Sequence, residues 1–233
     1  TLEVRRAAAP GESLLTPGED VGRGEMLLPA GRRLRPQEIG LLAALGLRRL
    51  VVYKIPRVAV ISSGDEIIPL DGAPRPGQVR DSNAYLAAAQ VAAWGGLPLL
   101  QGIVPDDFAL LRQALAAALD AADLILISGG SSVGVRDLTL TAIQDLPGSE
   151  ILVHGVALRP GKPTILAALG PTPLMGLPGH PASAAVVMEV LGRPLLLRLA
   201  GASDQFPWGR TVAALLSRNL AGATGREDFV RVR

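Results

Sequence analysis

The sequence predicts an α/β protein in which a mostly parallel sheet carries helices on both faces, giving three layers. Three features carry this prediction. Short, charge-free aliphatic runs at residues 58–61 and 124–127 are hydrophobic at every position, as strands buried on both faces are. Longer stretches with Leu and Ala at helical spacing lie between them. Each aliphatic run stops at Ser, Gly or Asp, the residue types that turn a chain. Strands that alternate with helices pair in parallel, because each crossover returns the chain to the same end of the sheet.

Taken in order, residues 1–55 form a side segment. Pro10, Gly11, Pro17, Gly18, Gly22, Gly24, Pro29 and Gly31 punctuate it, and the pieces at 18–21 and 26–31 are expected to be short β elements. Pro36 opens a helix with Ile39, Leu42 and Ala43 on one face and Gly46 at its end. Residues 50–53 return as a strand, and Pro56 marks a boundary. The main domain, residues 56–201, begins with the strand at 58–61, which ends in Ser62-Ser63-Gly64-Asp65-Glu66. A Pro- and Gly-rich loop leads to Asp81-Ser82-Asn83, which caps a helix running to Trp94. Residues 97–104 are a strand, and Asp106 and Asp107 start a helix that ends near Asp123. After the strand at 124–127 a short helix is expected over 138–144. Residues 151–158, 164–169 and 174–176 are further strands, and 181–199 is an apolar helix kinked by Pro194. Residues 202–233 read as the start of a C-terminal β domain, and the chain, which begins with Thr1, as a fragment of a longer protein.

Composition narrows the function. Of 233 residues, 48% are hydrophobic and only 3% aromatic, enough for a large aliphatic core. A formal charge of +2 gives no electrostatic footprint for nucleic acid. The absence of cysteine excludes disulfides, thiolate metal sites and cysteine nucleophiles, and two histidines argue against a histidine-based zinc site. No apolar run is long enough to span a bilayer, so no membrane role and a cytoplasmic location are expected.

The chemistry concentrates at strand ends. Residues 124–137 read Leu-Ile-Leu-Ile-Ser-Gly-Gly-Ser-Ser-Val-Gly-Val-Arg-Asp. After the strand, Ser128, Gly129, Gly130, Ser131, Ser132 and Gly134 offer backbone amides and hydroxyls with little side chain in the way, which suits an anion. Asp137 follows where the next helix is expected to begin. Asp65, Glu66, Asp106 and Asp107 lie on loops that a parallel sheet brings to the same edge, so the carboxylates are expected around one crevice. Carboxylates beside a phosphate loop suit Mg²⁺. Arg159-Pro160-Gly161-Lys162-Pro163 presents two cations opposite them, and Gly176-Leu177-Pro178-Gly179-His180-Pro181 brings backbone to a helix start. Singly, these features also read as helix caps at Asp81, Asp106 and His180, or as solvated loops and surface charges.

Known local signatures mostly fail. Gly129 and Gly134 have phosphate-loop spacing, but Val135 and Arg136 replace the Lys and hydroxyl residue. Residues 130–134 fit G-x-S-x-G, the nucleophile elbow of α/β-hydrolases, but that reading leaves Asp65, Glu66 and Lys162 without a role.

In order and spacing, Ser63-Gly64-Asp65-Glu66, Asp81-Ser82-Asn83, Ser128-Gly129-Gly130 through Gly134 to Asp137, Pro160-Gly161-Lys162-Pro163 and Gly176-Leu177-Pro178-Gly179 resemble the molybdopterin molybdenumtransferase family, the MoeA and gephyrin E-domain group. The resemblance extends to Gly18-Glu19-Asp20, the helix from Pro36 and the tail at Gly225-Arg226-Glu227-Asp228-Phe229. It implies a MogA-like, molybdopterin-binding α/β domain that inserts molybdate into adenylylated molybdopterin and releases AMP, with Mg²⁺. A molybdopterin adenylyltransferase, or a non-catalytic binding or scaffold module of the same fold, is the alternative. By position the resemblance makes Glu66, Asp106, Asp137 and Lys162 catalytic, and Asp20, Glu66 and Asp137 metal-binding. Ser128, Gly129, Gly130, Ser131, Ser132, Gly134, Asp81, Asn83, Arg159, Pro178, Gly179 and Pro181 become the ligand-binding set. A homodimer and contact with the adenylyltransferase are implied as well. His180 departs from the family's usual Asn, and the family's N-terminal Asp-Gly motif has no counterpart in this sequence.

Overall fold

A computed structural model describes residues 6, 7, 9–129, 133–203, 212–220 and 222–232, with backbone only for 133–137. Its centre is a six-stranded sheet built from β1 (Arg57–Ser63), β4 (Leu97–Val104), β5 (Leu124–Gly129), β6 (Ser149–His154), β8 (Ile165–Leu169) and β9 (Thr172–Leu177), in the order β4-β1-β5-β9-β8-β6. Strands β4, β1, β5 and β9 pair in parallel, whereas β8 runs antiparallel to both β9 and β6. The reversal follows from the two-residue connection at Gly170 and Pro171, where Gly170 takes φ +59°. A connection that short permits only a hairpin.

The alternation of β1 and β5 divides the core into two. Ala59, Ile61, Ile125 and Ile127 face α3 (Phe108–Ala121) and α4 (Val133–Gln144), with Leu111, Leu115, Ala142 and Ile143 fully buried against them. Val58, Val60, Leu124 and Leu126 face the other way, against Val91 of α2 (Asn83–Ala93), Val187 of α5 (Pro181–Val187) and Leu196 of α6 (Arg193–Leu199). Three layers result, as the unbroken aliphatic runs require.

Several expected elements differ. Among the described residues no strand precedes Arg57: 18–21 is turn and bend, 26–31 is irregular with a bend and a closing turn, and 50–53 has no strand partner. Val51 and Val52 are exposed there, so β-branched composition without a neighbouring strand leaves the segment extended and unpaired. The segment's helix is α1 (Pro36–Ala44), where Glu38 accepts from the Arg35 backbone N–H and pairs with the Arg32 and Arg35 guanidiniums. The expected strand at 151–158 breaks into β6 and β7 (Leu158–Arg159). Of the C-terminal β domain the described residues show β10 (Glu227–Asp228), which pairs in parallel with β7.

Two further corrections bear on helices. Helix α4 starts at Val133, five residues before the expected start at 138. Gly134 and Asp137 therefore lie within a helix, not in the loop and not at a helix start. Gly and Val are weak helix formers and gave no signal, while Ala142, Ile143 and Leu146 anchor the helix to the sheet. The apolar helix from Pro181 to Leu199 is not simply kinked at Pro194. Residues Met188–Gly192 widen into a π turn, and the Arg193 N–H bonds the Met188 carbonyl. Pro194 lacks the N–H for an α-type bond to Val190, and the wider turn relieves its ring from that carbonyl.

Candidate functional site

The parallel register sets the site. Ser63 pairs with both Val104 and Gly129, and Ser128 pairs with Leu177, so β1, β4, β5 and β9 end level with one another. Because β8 is antiparallel, the His154-to-Ile165 connection reaches the same edge. All five loops singled out in the sequence thus leave one edge of the sheet. They do not, however, enclose one crevice.

The first cavity, of about 380 Å³, is lined by Ser62, Glu66, Arg80, Asp81, Asn83, Ser128, Gly129, Gly179, His180 and Pro181 among others. Gly64 positions Glu66. At φ +144° it holds a conformation favouring glycine, and a Cβ there would lie 2.7 Å from Glu66 Oε2. The chain turns back at once, with the Ile67 N–H bonded to the Gly64 carbonyl. The Glu66 carboxylate has no hydrogen-bond or ion-pair partner among the described residues. Ser62 and Ser128 are buried side by side, their hydroxyl oxygens 3.4 Å apart.

Asn83 ties two walls together. Its Nδ2 donates to the Gly179 carbonyl at 2.8 Å and reaches the Pro178 carbonyl at 3.4 Å, holding the loop before α5 against the start of α2. Its Oδ1 is buried and unpartnered, an acceptor left over beside the cavity. Asp81 is 6% exposed and accepts the Ala84 N–H, so its carboxylate caps α2, the plainer of its two sequence readings.

Asp106 and Asp65 form a reciprocal tie between neighbouring loops. The Asp106 N–H donates to Asp65 Oδ1 at 3.2 Å, the Asp65 N–H to Asp106 Oδ2 at 3.4 Å, and Ser63 Oγ to Asp106 Oδ1 at 3.3 Å. Asp106 is therefore engaged locally and is not in the cavity lining, while Asp107 is the N-cap of α3.

Arg159 and Lys162 are not opposite these carboxylates in the same cavity. They line a second one, of about 700 Å³, between the β6–β8 connection and residues 223–226. Its basic lining also includes His154 and Arg226, the latter paired with Asp228 at 2.8 Å. The hairpin after β6 and the pairing of β7 with β10 draw the turn toward the C-terminal segment. The Arg159–Pro160 peptide is cis. Gly161, at φ +136°, packs where a Cβ would lie 2.7 Å from Val187 Cγ2.

Asp20 is exposed in the N-terminal segment and is not among the residues lining the first cavity. Gly130, Ser131 and Ser132 lie outside the described residues, and of Gly134 and Asp137 only the helical backbone is described. Arg80 was missed by sequence reasoning. It sits in the two-residue β3 (Val79–Arg80), which pairs with β2 (Ile67–Ile68) in a stretch that reads as loop; its place directly before the Asp81 cap was the available signal.

Among the described residues no three acidic or histidine side chains cluster closely enough to hold a metal by themselves. Mg²⁺ ordinarily takes one or two carboxylates and completes its shell with phosphate oxygens and water. One unpaired carboxylate, Glu66, in a cavity it shares with the Ser62 and Ser128 hydroxyls and Gly129 fits that mode and not an all-protein cage.

Residues 59–198 match the family described as a probable molybdopterin binding domain, and residues 1–46 match the MoeA N-terminal region (domain I and II). The chain belongs to the family of molybdopterin binding domains, with a MoeA-type N-terminal region ahead of that domain. It is 39% identical over 196 residues to the molybdopterin molybdenumtransferase of a Nostoc species, covering 82% of this chain and 44% of that protein. The Haemophilus influenzae enzyme of the same name is 32% identical, covering 99% of this chain and 56% of its own length. A crystal structure of the molybdopterin biosynthesis protein MoeA from Pyrococcus horikoshii superposes with a TM-score of 0.72 at 37% identity, covering 84% of this chain and 48% of that one. The chain spans about half the length of the curated relatives it matches. The expected α/β, three-layer fold and the expected family both hold.

Proposed function

We propose that this chain carries the pterin-nucleotide site of a molybdenumtransferase, which inserts molybdate into adenylylated molybdopterin and releases AMP. The observation that carries the proposal is the 380 Å³ cavity at the level ends of β1, β5 and β9, where Glu66, Asn83, Ser128, Gly129 and Gly179 meet. A cradle of small residues at strand ends suits phosphate, since backbone amides approach it without a side chain between.

Each residue has a task in this reading. Gly129 and the residues after it hold phosphate oxygens through their amides, and Ser128 adds a hydroxyl. Asn83 fixes the loop of Pro178, Gly179 and Pro181 as a wall of the site. Arg159 and Lys162 offer two cations to an oxyanion such as molybdate in the second cavity. Glu66 is the group placed to exchange a proton with bound ligand. Asp106 keeps the loops after β1 and β4 in register with each other.

Mg²⁺ belongs to the proposal, with Glu66 as the ligand that lines the first cavity and Asp20 and Asp137 as the two others that the resemblance offers. When bound it would neutralise phosphate charge. A homodimer, a cytoplasmic location and contact with a molybdopterin adenylyltransferase are further parts of it, resting on the family alone.

The test uses the full-length protein and follows AMP release from adenylylated molybdopterin on addition of molybdate. Glu66→Gln is expected to slow release by about a hundredfold or more. Its melting temperature should not change, because the carboxylate has no partner to lose. AMP release at the parent rate would overturn the role of Glu66 and of the cavity.

A further inference from the structure

We propose that Arg80 and His180 form a cationic contact for a ligand phosphate in the first cavity, with a strength graded by pH. The proposal rests on the reading that this cavity takes a nucleotide. His180 occupies the N-cap position of α5, where a short polar side chain would bond the helix amides. Its side chain makes no such bond, and it has no hydrogen-bond or ion-pair partner among the described residues. It is also exposed, so it is neither a cap nor part of the core. What remains is its position in the cavity lining.

Arg80 reaches the same cavity from β3. Its Nε donates to the Gly72 carbonyl at 3.1 Å, which fixes the guanidinium and leaves its outer N–H groups without a partner among the described residues. The other charged residues in the lining are Glu66, from the turn after β1, and Asp81, before α2, whose carboxylate is engaged by the Ala84 N–H. Helix α5 itself carries no charged residue. An oxyanion in contact with both groups meets one permanent cation and one imidazole, which adds a second charge only when it is protonated. The chemistry recognised is a phosphate monoester or anhydride.

The experiment is calorimetry at pH 6 and pH 8 on the chain, Arg80→Gln and His180→Asn, with AMP and with inorganic pyrophosphate as a probe lacking a base. Variants are compared with the parent at equal pH, so titration of the probe itself cancels. His180→Asn is expected to weaken binding about two- to fivefold at pH 6 and hardly at all at pH 8. Arg80→Gln should weaken it by a similar factor at both. Both positions are exposed, so melting temperatures should stay at the parent value and serve as the folding control. A His180→Asn effect that is absent, or equal at the two pH values, overturns the proposal. If AMP binds without regard to either residue, the pair fails and the nucleotide reading stands. If pyrophosphate alone binds and shows the pattern, the pair stands and the nucleotide reading fails. Failure of both probes to bind overturns both.

Discussion

Asn83→Asp is the substitution that probes the site's construction most sharply. It preserves size and shape and replaces the Nδ2 donor by an oxygen. In the parent that nitrogen bonds the Gly179 carbonyl at 2.8 Å and lies 3.4 Å from the Pro178 carbonyl. The first is a bond of normal length, worth about 1 kcal/mol net, and the second is at the edge of usefulness. Substitution leaves both carbonyls without this donor and sets a carboxylate oxygen against them, so the cost should reach about 2–3 kcal/mol. Nothing is lost on the other side, because Oδ1 has no partner to begin with. The expected outcome is a lower urea midpoint with an unchanged slope, and weaker AMP binding as the loop of Gly179, His180 and Pro181 leaves its place. Asn83→Asp with parent stability and parent affinity would refute the account of how the two walls are joined.

Three other outcomes are expected, two from the geometry and the third, at Asp137, from the family resemblance. Gly161→Ala places a Cβ 2.7 Å from Val187 Cγ2 at φ +136°, so it should cost about 1–3 kcal/mol in chemical denaturation and disturb the turn of Arg159 and Lys162. The hydrogen bond from the Arg35 side chain, helped by Arg32 and opposed by burial, holds the Glu38 carboxyl at about 2 against an ordinary 4.5. Its folded-state value is depressed, so its stabilisation is complete above pH 4.5 and is lost as pH falls toward 2. The melting difference between the parent and Glu38→Gln should therefore be constant at neutral pH and shrink across that acid window. Asp137→Asn in the full-length protein should keep its melting temperature but lose most molybdate insertion. Near-normal turnover there would remove Asp137 from the reaction.

The fold was legible where the sequence pattern had only one physical solution. Two aliphatic runs with no polar position must be buried on both faces, and β1 and β5 are adjacent interior strands of the sheet. Asp81 and Asp107 announced their helices because a short carboxylate before an apolar stretch satisfies free amides. The hairpin at Gly170 was hidden, since a strand's direction is set by a connection of two residues and not by its own composition. The strand expected at 50–53 failed for the opposite reason: β-branched residues describe a strand only when a partner is present to pair with it. At the site, the convergence of loops followed from parallel topology, but the antiparallel β8 and the β7–β10 pairing carry Arg159 and Lys162 into a cavity of their own. Arg80 escaped notice because its strand is two residues long and its role depends on a fold-back that no periodicity records.

The measurement that bears most directly on the central claim is calorimetry of AMP binding to this chain, with and without Mg²⁺, beside the Gly129→Val variant. Gly129 lines the cavity, and even a Cβ there would lie 3.1 Å from both Cβ and the carbonyl oxygen of Ser63. One AMP per chain, bound more tightly with Mg²⁺ and lost in Gly129→Val, is the predicted result. Binding that is absent in the parent, or that survives undiminished in a folded Gly129→Val variant, would contradict the assignment of this cavity to the nucleotide.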